Sequence, residues 1–167
     1  MFQLSLLISS LSFSLSLMFG AVKAPEVLVK AAIVYNLDSY IYWPKNLPSE
    51  SLTIAVLGNS PIYDVLSHFK EIGGDKNRRL RVVHIDDLKS YQSVHILYVS
   101  EGYTEGVMKK LKQKPVMLVG EGFGCWQENL HICMIKEGAK YRLKIDPISF
   151  ETSGLDLDPE LIELIQI

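Results

Sequence analysis

The chain has 167 residues, 48% of them hydrophobic, and carries 17 Lys and Arg against 19 Asp and Glu, a formal net charge of −2. That balance gives no general attraction to nucleic acid or to anionic lipid, so neither is expected as a partner of the whole surface. With two cysteines and four histidines, metal and thiol chemistry have few residues to draw on.

Residues 1–24 read as an export leader. Residues 4–19 (LSLLISSLSFSLSLMF) form a serine-diluted apolar run without charge, and Val22 and Ala24 stand at the two positions a signal peptidase reads. An uncleaved N-terminal anchor is the alternative, because residues 2–22 just reach spanning length. Removing the leader leaves about 143 residues, enough for one domain with a real core, expected over 25–167. No second apolar run approaches spanning length, so that domain is expected to be soluble.

Residues 26–43 (EVLVKAAIVYNLDSYIYW) have the length and composition of one helix stopped by Pro44, since proline disfavours helical backbone in the residue before it. Glu26 and Lys30 form an acid-to-base pair at i, i+4. Asn36, Ser39 and Trp43 share one stripe of that helix, small and polar with an indole at its end, which makes them candidates for partner binding. For Trp43 the competing reading is plain core packing. A helix this apolar all round is expected to be covered, so it should pack on one face of the fold.

The middle of the chain alternates. Residues 52–57 (LTIAVL) are a buried-strand signal ending at Gly58; Ser60 can cap a helix holding Pro61 early and Ile62, Val65, Leu66 and Phe69 inside, with Gly73-Gly74 ending it. Residues 80–85 give a second strand, 86–91 a short helix, 94–99 (VHILYV) a third strand, 104–113 a helix and 116–119 a fourth strand. This rhythm is the signature of βαβ units with parallel strands. The glycine-rich stretch 120–124 leads to no clear helix and reads as a loop. Residues 130–135 and 141–145 make a hairpin about Glu137-Gly138. Asp146 caps a helical turn that holds Pro147 and Phe150 and ends at Gly154; Asp158-Pro159 opens a closing helix. The fold class is therefore α/β, with a mixed, partly parallel sheet, an N-terminal packing helix, and a C-terminal β-hairpin plus helix.

The search for reaction chemistry is mostly negative. The turn after the first strand, Gly58-Asn59-Ser60-Pro61, lacks the G-x-G-x-x-G that lets backbone approach a pyrophosphate, and Pro61 removes a donor. None of His68, His84, His95 and His131 forms a zinc spacing; His84 with Asp86 and Asp87 is the nearest approach to an acid–base or metal group. No cofactor and no catalytic or metal residue is expected. A small-ligand pocket or enzyme site, if present, would lie at the carboxyl ends of the parallel strands near Asn59, Ser100 and Glu121. In an exported protein the even cysteine count favours a Cys125–Cys133 disulfide over a buried strand thiol and a free loop thiol.

Several segments together resemble one family. Glu26, Lys30-Ala31-Ala32, Tyr35-Asn36 and Trp43-Pro44 are similar to the opening helix of the YfiR-like family, roughly E-x-x-V-K-A-A-x-L-Y-N-F followed by W-P. Residues 52–58, 94–100, 115–119, 140–146 and Gly154-Leu155 match the rest of the pattern in order. The resemblance implies a small periplasmic protein with a Rossmann-like α/β fold and no enzymatic activity. It would restrain a membrane-bound diguanylate cyclase, and so cyclic di-GMP signalling, or a sensor histidine kinase, through that protein's periplasmic region. Disulfides affect the stability of the name-giving member, and a homodimer is left open. Three departures stand out: Leu37 where the family commonly has Phe, Asp146 where it has Asn, and residues 123–130 (FGCWQENL) in place of F-A-x-x-G-G-x-I. A ligand receptor and a structural or adhesion-related exported domain are the other readings.

Overall fold

A computed structural model describes residues 25–72 and 79–165; the leader 1–24, the Gly73-Gly74 stop and residues 166–167 lie outside the described residues. Helix α1 (Glu26–Asn36) starts directly after Pro25 and buries Ala31 and Val34. The sequence predicts this helix to run to Trp43. It stops at Asn36 instead, and a 3-10 turn (Leu37–Tyr40) and a two-residue strand β1 (Ile41–Tyr42) complete the stretch.

Two tertiary contacts account for the break. Strand β1 pairs antiparallel with β8 (Asp156–Leu157), far along the chain, with Ile41 opposite Leu157. Asp158 seals the pairing: its amide donates to the Tyr40 carbonyl at 2.8 Å and its carboxylate accepts from the Tyr42 hydroxyl at 2.7 Å. Within the turn, Asp38 accepts a hydrogen bond from Trp43 Nε1 at 2.8 Å. Residues five apart on a continuous helix point about 140° apart, so that bond forbids one.

Among the described residues the main sheet has the order β3-β2-β4-β5-β6-β7. Its parallel strands are β2 (Ser51–Leu57), β3 (Arg79–Ile85), β4 (Ile96–Val99), β5 (Met117–Glu121) and β6 (Ile132–Glu137). Strand β7 (Lys140–Ile145) closes the row antiparallel to β6. The apolar runs of the central strands arise because both of their faces are covered. On one face Leu52, Ile54, Val56 and Tyr98 pack with α1, α2 (Ile62–Ile72), α5 (Pro147–Ser153) and α6 (Pro159–Ile165). On the other, Ala55, Leu57, Leu97 and Val99 meet α3 (Val107–Leu111) and α4 (Gly122–Gln127). Each fully buried Leu or Ile in these layers contributes roughly 1.5–3 kcal/mol of burial free energy.

Caps fall where the sequence places them. Ser60 Oγ accepts from the Ile62 amide at 3.4 Å, Asp146 from the Ile148 amide at 3.2 Å, and Gly154 turns the chain with φ of 71°. The segment predicted as a helix over 86–91 is a 3-10 turn (Leu88–Ser90) capped by Asp87. The helix predicted over 104–113 is only Val107–Leu111, with left-handed Gly106 at its N-cap. Strands β4 and β6 begin at Ile96 and Ile132, each two residues later than predicted, and the reason is the same in both. A histidine ring takes a place in the ladder: His95 Nδ1 accepts from the Thr53 amide and His131 Nδ1 from the Leu118 amide, both at 3.1 Å.

Of the stretch predicted as a glycine-rich loop, residues 120–121 end β5 and residues 122–124 open α4. It is anchored by Cys125, joined to Cys133 of β6 with Cα atoms 5.8 Å apart. Gly120 allows this approach, since a Cβ there would stand 2.9 Å from both Cys125 Sγ and Leu130 Cδ1. Replacing both cysteines with serine is expected to cost about 2.5 kcal/mol, the loop-closure entropy of so short a ring. Urea unfolding of the variant and the parent measures it, and equal midpoints with and without reductant would reject a stabilising role.

His131 sets an acid limit on stability. Because Nδ1 accepts the Leu118 amide, the proton rests on Nε2, which donates to Ser153 Oγ at 2.9 Å; Ser153 in turn donates to the Phe150 carbonyl. Burial holds the ring's pKa down from 6.5 to about 4. Between those values the unfolded chain binds more protons than the folded one, so this contribution is full above about pH 6.5 and is lost toward pH 4. Stability should fall by up to about 3 kcal/mol over that range. His131→Gln is expected to lower stability at pH 7 and to flatten the pH slope; an unchanged slope would show that another group sets it.

Candidate functional site

The chain runs from β2 through α2 to β3 on one side and then returns to β4 on the other, which makes the carboxyl ends of β2 and β4 a topological switch point. Asn59, Ser100 and Glu121 all lie along this edge, at the ends of β2, β4 and β5. Gly58 turns the chain there with φ of +81°, and a Cβ on it would stand 2.4 Å from the Tyr103 ring, so only glycine lets that ring close over the turn.

The three side chains differ in state. Asn59 is exposed. Ser100 is 3% exposed and its Oγ has no hydrogen-bond partner, although its amide donates to the Leu57 carbonyl at 3.0 Å. Glu121 is fully engaged: Tyr98 donates to Oε1 at 2.5 Å, and Lys30 Nζ lies 2.5 Å from Oε2.

Lys30 extends this contact into a chain of charges. Glu26, one turn back on α1, lies 3.4 Å from it, and also accepts from Lys136 at 2.5 Å and from the Tyr141 hydroxyl. The Lys136 ammonium, then the Tyr141 hydroxyl, hold the Glu26 carboxyl down at about 2. Burial works against the Lys30 charge, but Glu121 more than offsets it and the ammonium titrates above its ordinary value. Burial, followed by the bond to Glu121, pushes the Tyr98 hydroxyl up. The cluster therefore holds a permanent ammonium and a protonated phenol, neither of them poised to exchange a proton near neutrality. Its chemistry is that of a fastening between α1 and the sheet.

The other sequence candidates separate. Asn36 and Ser39 are exposed, at the end of α1 and in the turn that follows it. Trp43 is not on their helix; its indole is held by Asp38 and packs edge-on against His95 with centroids 5.1 Å apart. Of the group around His84, Asp87 is drawn away as a cap; His84 keeps Asp86 at 3.8 Å from Nδ1, at the surface, and its Nε2 meets the Gly58 carbonyl at 3.1 Å. Among the described residues no three His, Cys, Asp or Glu side chains are placed to hold a metal ion, and no helix is long and apolar enough to cross a membrane.

Sequence reasoning missed an aromatic surface at the carboxyl edge of the sheet. Phe123 is 72% exposed on α4, Tyr103 is 43% exposed in the loop after β4, and Trp126 of α4 stands beside β7 under Lys144. The exposure of Phe123 and Trp126 follows from a helix that the glycines at 120, 122 and 124 concealed; the cysteine spacing was the one signal that α4 would be tied down. An open groove of about 310 Å³ between α1 and α2 is lined by Leu28, Asp64, Val65, His68 and Phe69.

No curated protein matches the chain. The family model described as YfiR/HmsC-like (DUF4154) matches residues 28–165, from the first turn of α1 to the end of α6, and the chain therefore belongs to the YfiR/HmsC-like family.

Proposed function

We propose that this protein is an exported, non-enzymatic regulator that acts in the periplasm. Residues 1–24 serve as its export leader, and the domain binds the periplasmic region of a membrane-bound diguanylate cyclase or sensor kinase and restrains it. The observation that carries this reading is the family match along nearly all of the described chain. The surface supports it: rigidly mounted aromatic side chains such as Phe123 and Tyr103 are the residue types that anchor protein interfaces. Asn36, exposed at the end of α1, and Ser39, exposed in the turn that follows, are assigned to the same partner contact, with Trp43 as the fixed support of the turn that carries Ser39.

Deleting the gene should raise the partner's output, read as cyclic di-GMP where that partner is a cyclase; unchanged output would count against restraint. Asn36→Ala with Ser39→Ala should shift stability by no more than about 0.5 kcal/mol, as exposed substitutions do, yet release the output as the deletion does. A folded double variant that still restrains the partner removes these two residues from the contact.

A second reading rests on Ser100. Its orphaned buried hydroxyl stands at the switch point, where α/β sheets bind small molecules, close to Asn59 and Glu121. If no ligand uses the hydroxyl, Ser100→Ala should leave stability unchanged or raise it by up to about 1 kcal/mol, since an unpaired polar atom is removed. A metabolite that stabilises the parent against heat and fails to stabilise this variant would establish a ligand site instead.

A further inference from the structure

Strand β7 ends the main sheet, and among the described residues no strand pairs with its outer edge. Its side chains alternate. Tyr141, Leu143 and Ile145 pack into the core layer that holds Leu161 of α6, while Lys140, Arg142 and Lys144 are exposed on the other face. Residues two apart on a strand stand about 7 Å from one another, so three cations line one side of this edge at regular spacing. Trp126 of α4 borders the row, with Lys144 Nζ 4.8 Å from the ring centroid. Arg142 reaches Glu137 at 3.0 Å, but both side chains are about half exposed, and such a pair is easily exchanged for another carboxylate.

We propose that the outer edge of β7 accepts an extended acidic segment of a partner protein as an added strand. Backbone bonds along the edge supply the attachment, and carboxylates at alternate positions meet Lys140, Arg142 and Lys144. The charges select this occupant. A second copy pairing antiparallel through the same edge would set lysine opposite lysine and arginine opposite arginine, and like charges directly opposite are destabilising. Lysine on an edge strand is also a standing guard against self-association. An acidic strand turns that repulsion into attraction, although the chain as a whole carries a net charge of −2. The inference rests on the regulatory reading above for the identity of the partner, and it names a contact separate from Asn36 and Ser39.

The test uses two acetylated eight-residue peptides of one composition. One alternates glutamate with valine; the other gathers its four glutamates in a block. The alternating peptide should bind at least fivefold tighter by fluorescence anisotropy, weaken as salt rises, and slow amide exchange in β7 but not in β3, the opposite edge. Arg142→Glu with Lys144→Glu, shown to be folded by an unchanged melting temperature, should lose at least tenfold in affinity. Equal binding of the two peptides, protection at β3, or protection at neither edge would overturn the proposal, and so would protein dimerisation through β7.

In cells where deleting the gene changes the partner's output, the same double variant should release that output. Full restraint by a folded Arg142→Glu, Lys144→Glu protein rejects β7 as the docking edge and leaves the regulatory reading standing. Output unchanged by the gene deletion itself rejects the regulatory reading, and the partner named for β7 with it.

Discussion

Lys30 and Glu121 meet at 2.5 Å with their side chains 17% and 18% exposed, and the placement of α1 on the sheet depends on that contact. Two charges taken this far out of water are costly to separate, because each would then lie partly buried without its partner. The phenol of Tyr98 satisfies the second oxygen of Glu121, and Glu26 occupies the outer side of Lys30. The chain of contacts then continues through Lys136 and Tyr141 into the β6–β7 hairpin. One helix is thereby fastened to β4, β5, β6 and β7 at the carboxyl edge of the sheet. Apolar packing of Ala31 and Val34 presses α1 onto the sheet but is non-directional; the polar chain sets where along the sheet it rests.

A second fastening works at the opposite end of α1. Asp38 and Trp43 close the turn, Trp43 leans on His95, and His95 in turn fills a ladder position opposite Thr53. His131 repeats the device two strands along, where Ser153 of α5 takes its other nitrogen. Both rings serve as acceptors for a strand amide, which requires them neutral. Histidines that might be read as candidates for catalysis or metal binding are thus consumed by the architecture.

What remains for recognition is the outer surface. Among the described residues the buried side-chain polar atoms are paired, apart from Ser100 Oγ, while aromatic rings and a row of cations stand exposed around α4 and β7. The Cys125–Cys133 bond explains how a six-residue helix that begins with glycines can hold Phe123 and Trp126 in fixed positions. A domain built in this way holds these side chains firmly at its surface.

The α/β class, the parallel strands, the C-terminal hairpin and three of the caps were legible in the sequence, because apolar runs of strand length and Ser60, Asp146 and Gly154 are local signals. The glutamate–lysine pair at the start of α1 was legible for the same reason: helical spacing alone sets Glu26 against Lys30. What tertiary structure decided was every feature that depends on a distant partner. The end of α1 at Asn36 comes from Asp156–Leu157 claiming β1, some 115 residues later. The late starts of β4 and β6 come from imidazoles bonded across the sheet, and α4 exists where glycines suggested a loop because a disulfide to β6 holds it. Glu121 could be assigned to a strand end from sequence, but not to Lys30 and Tyr98. A charge pair between elements is set by the packing of a helix on a sheet, and no periodicity along the chain records it.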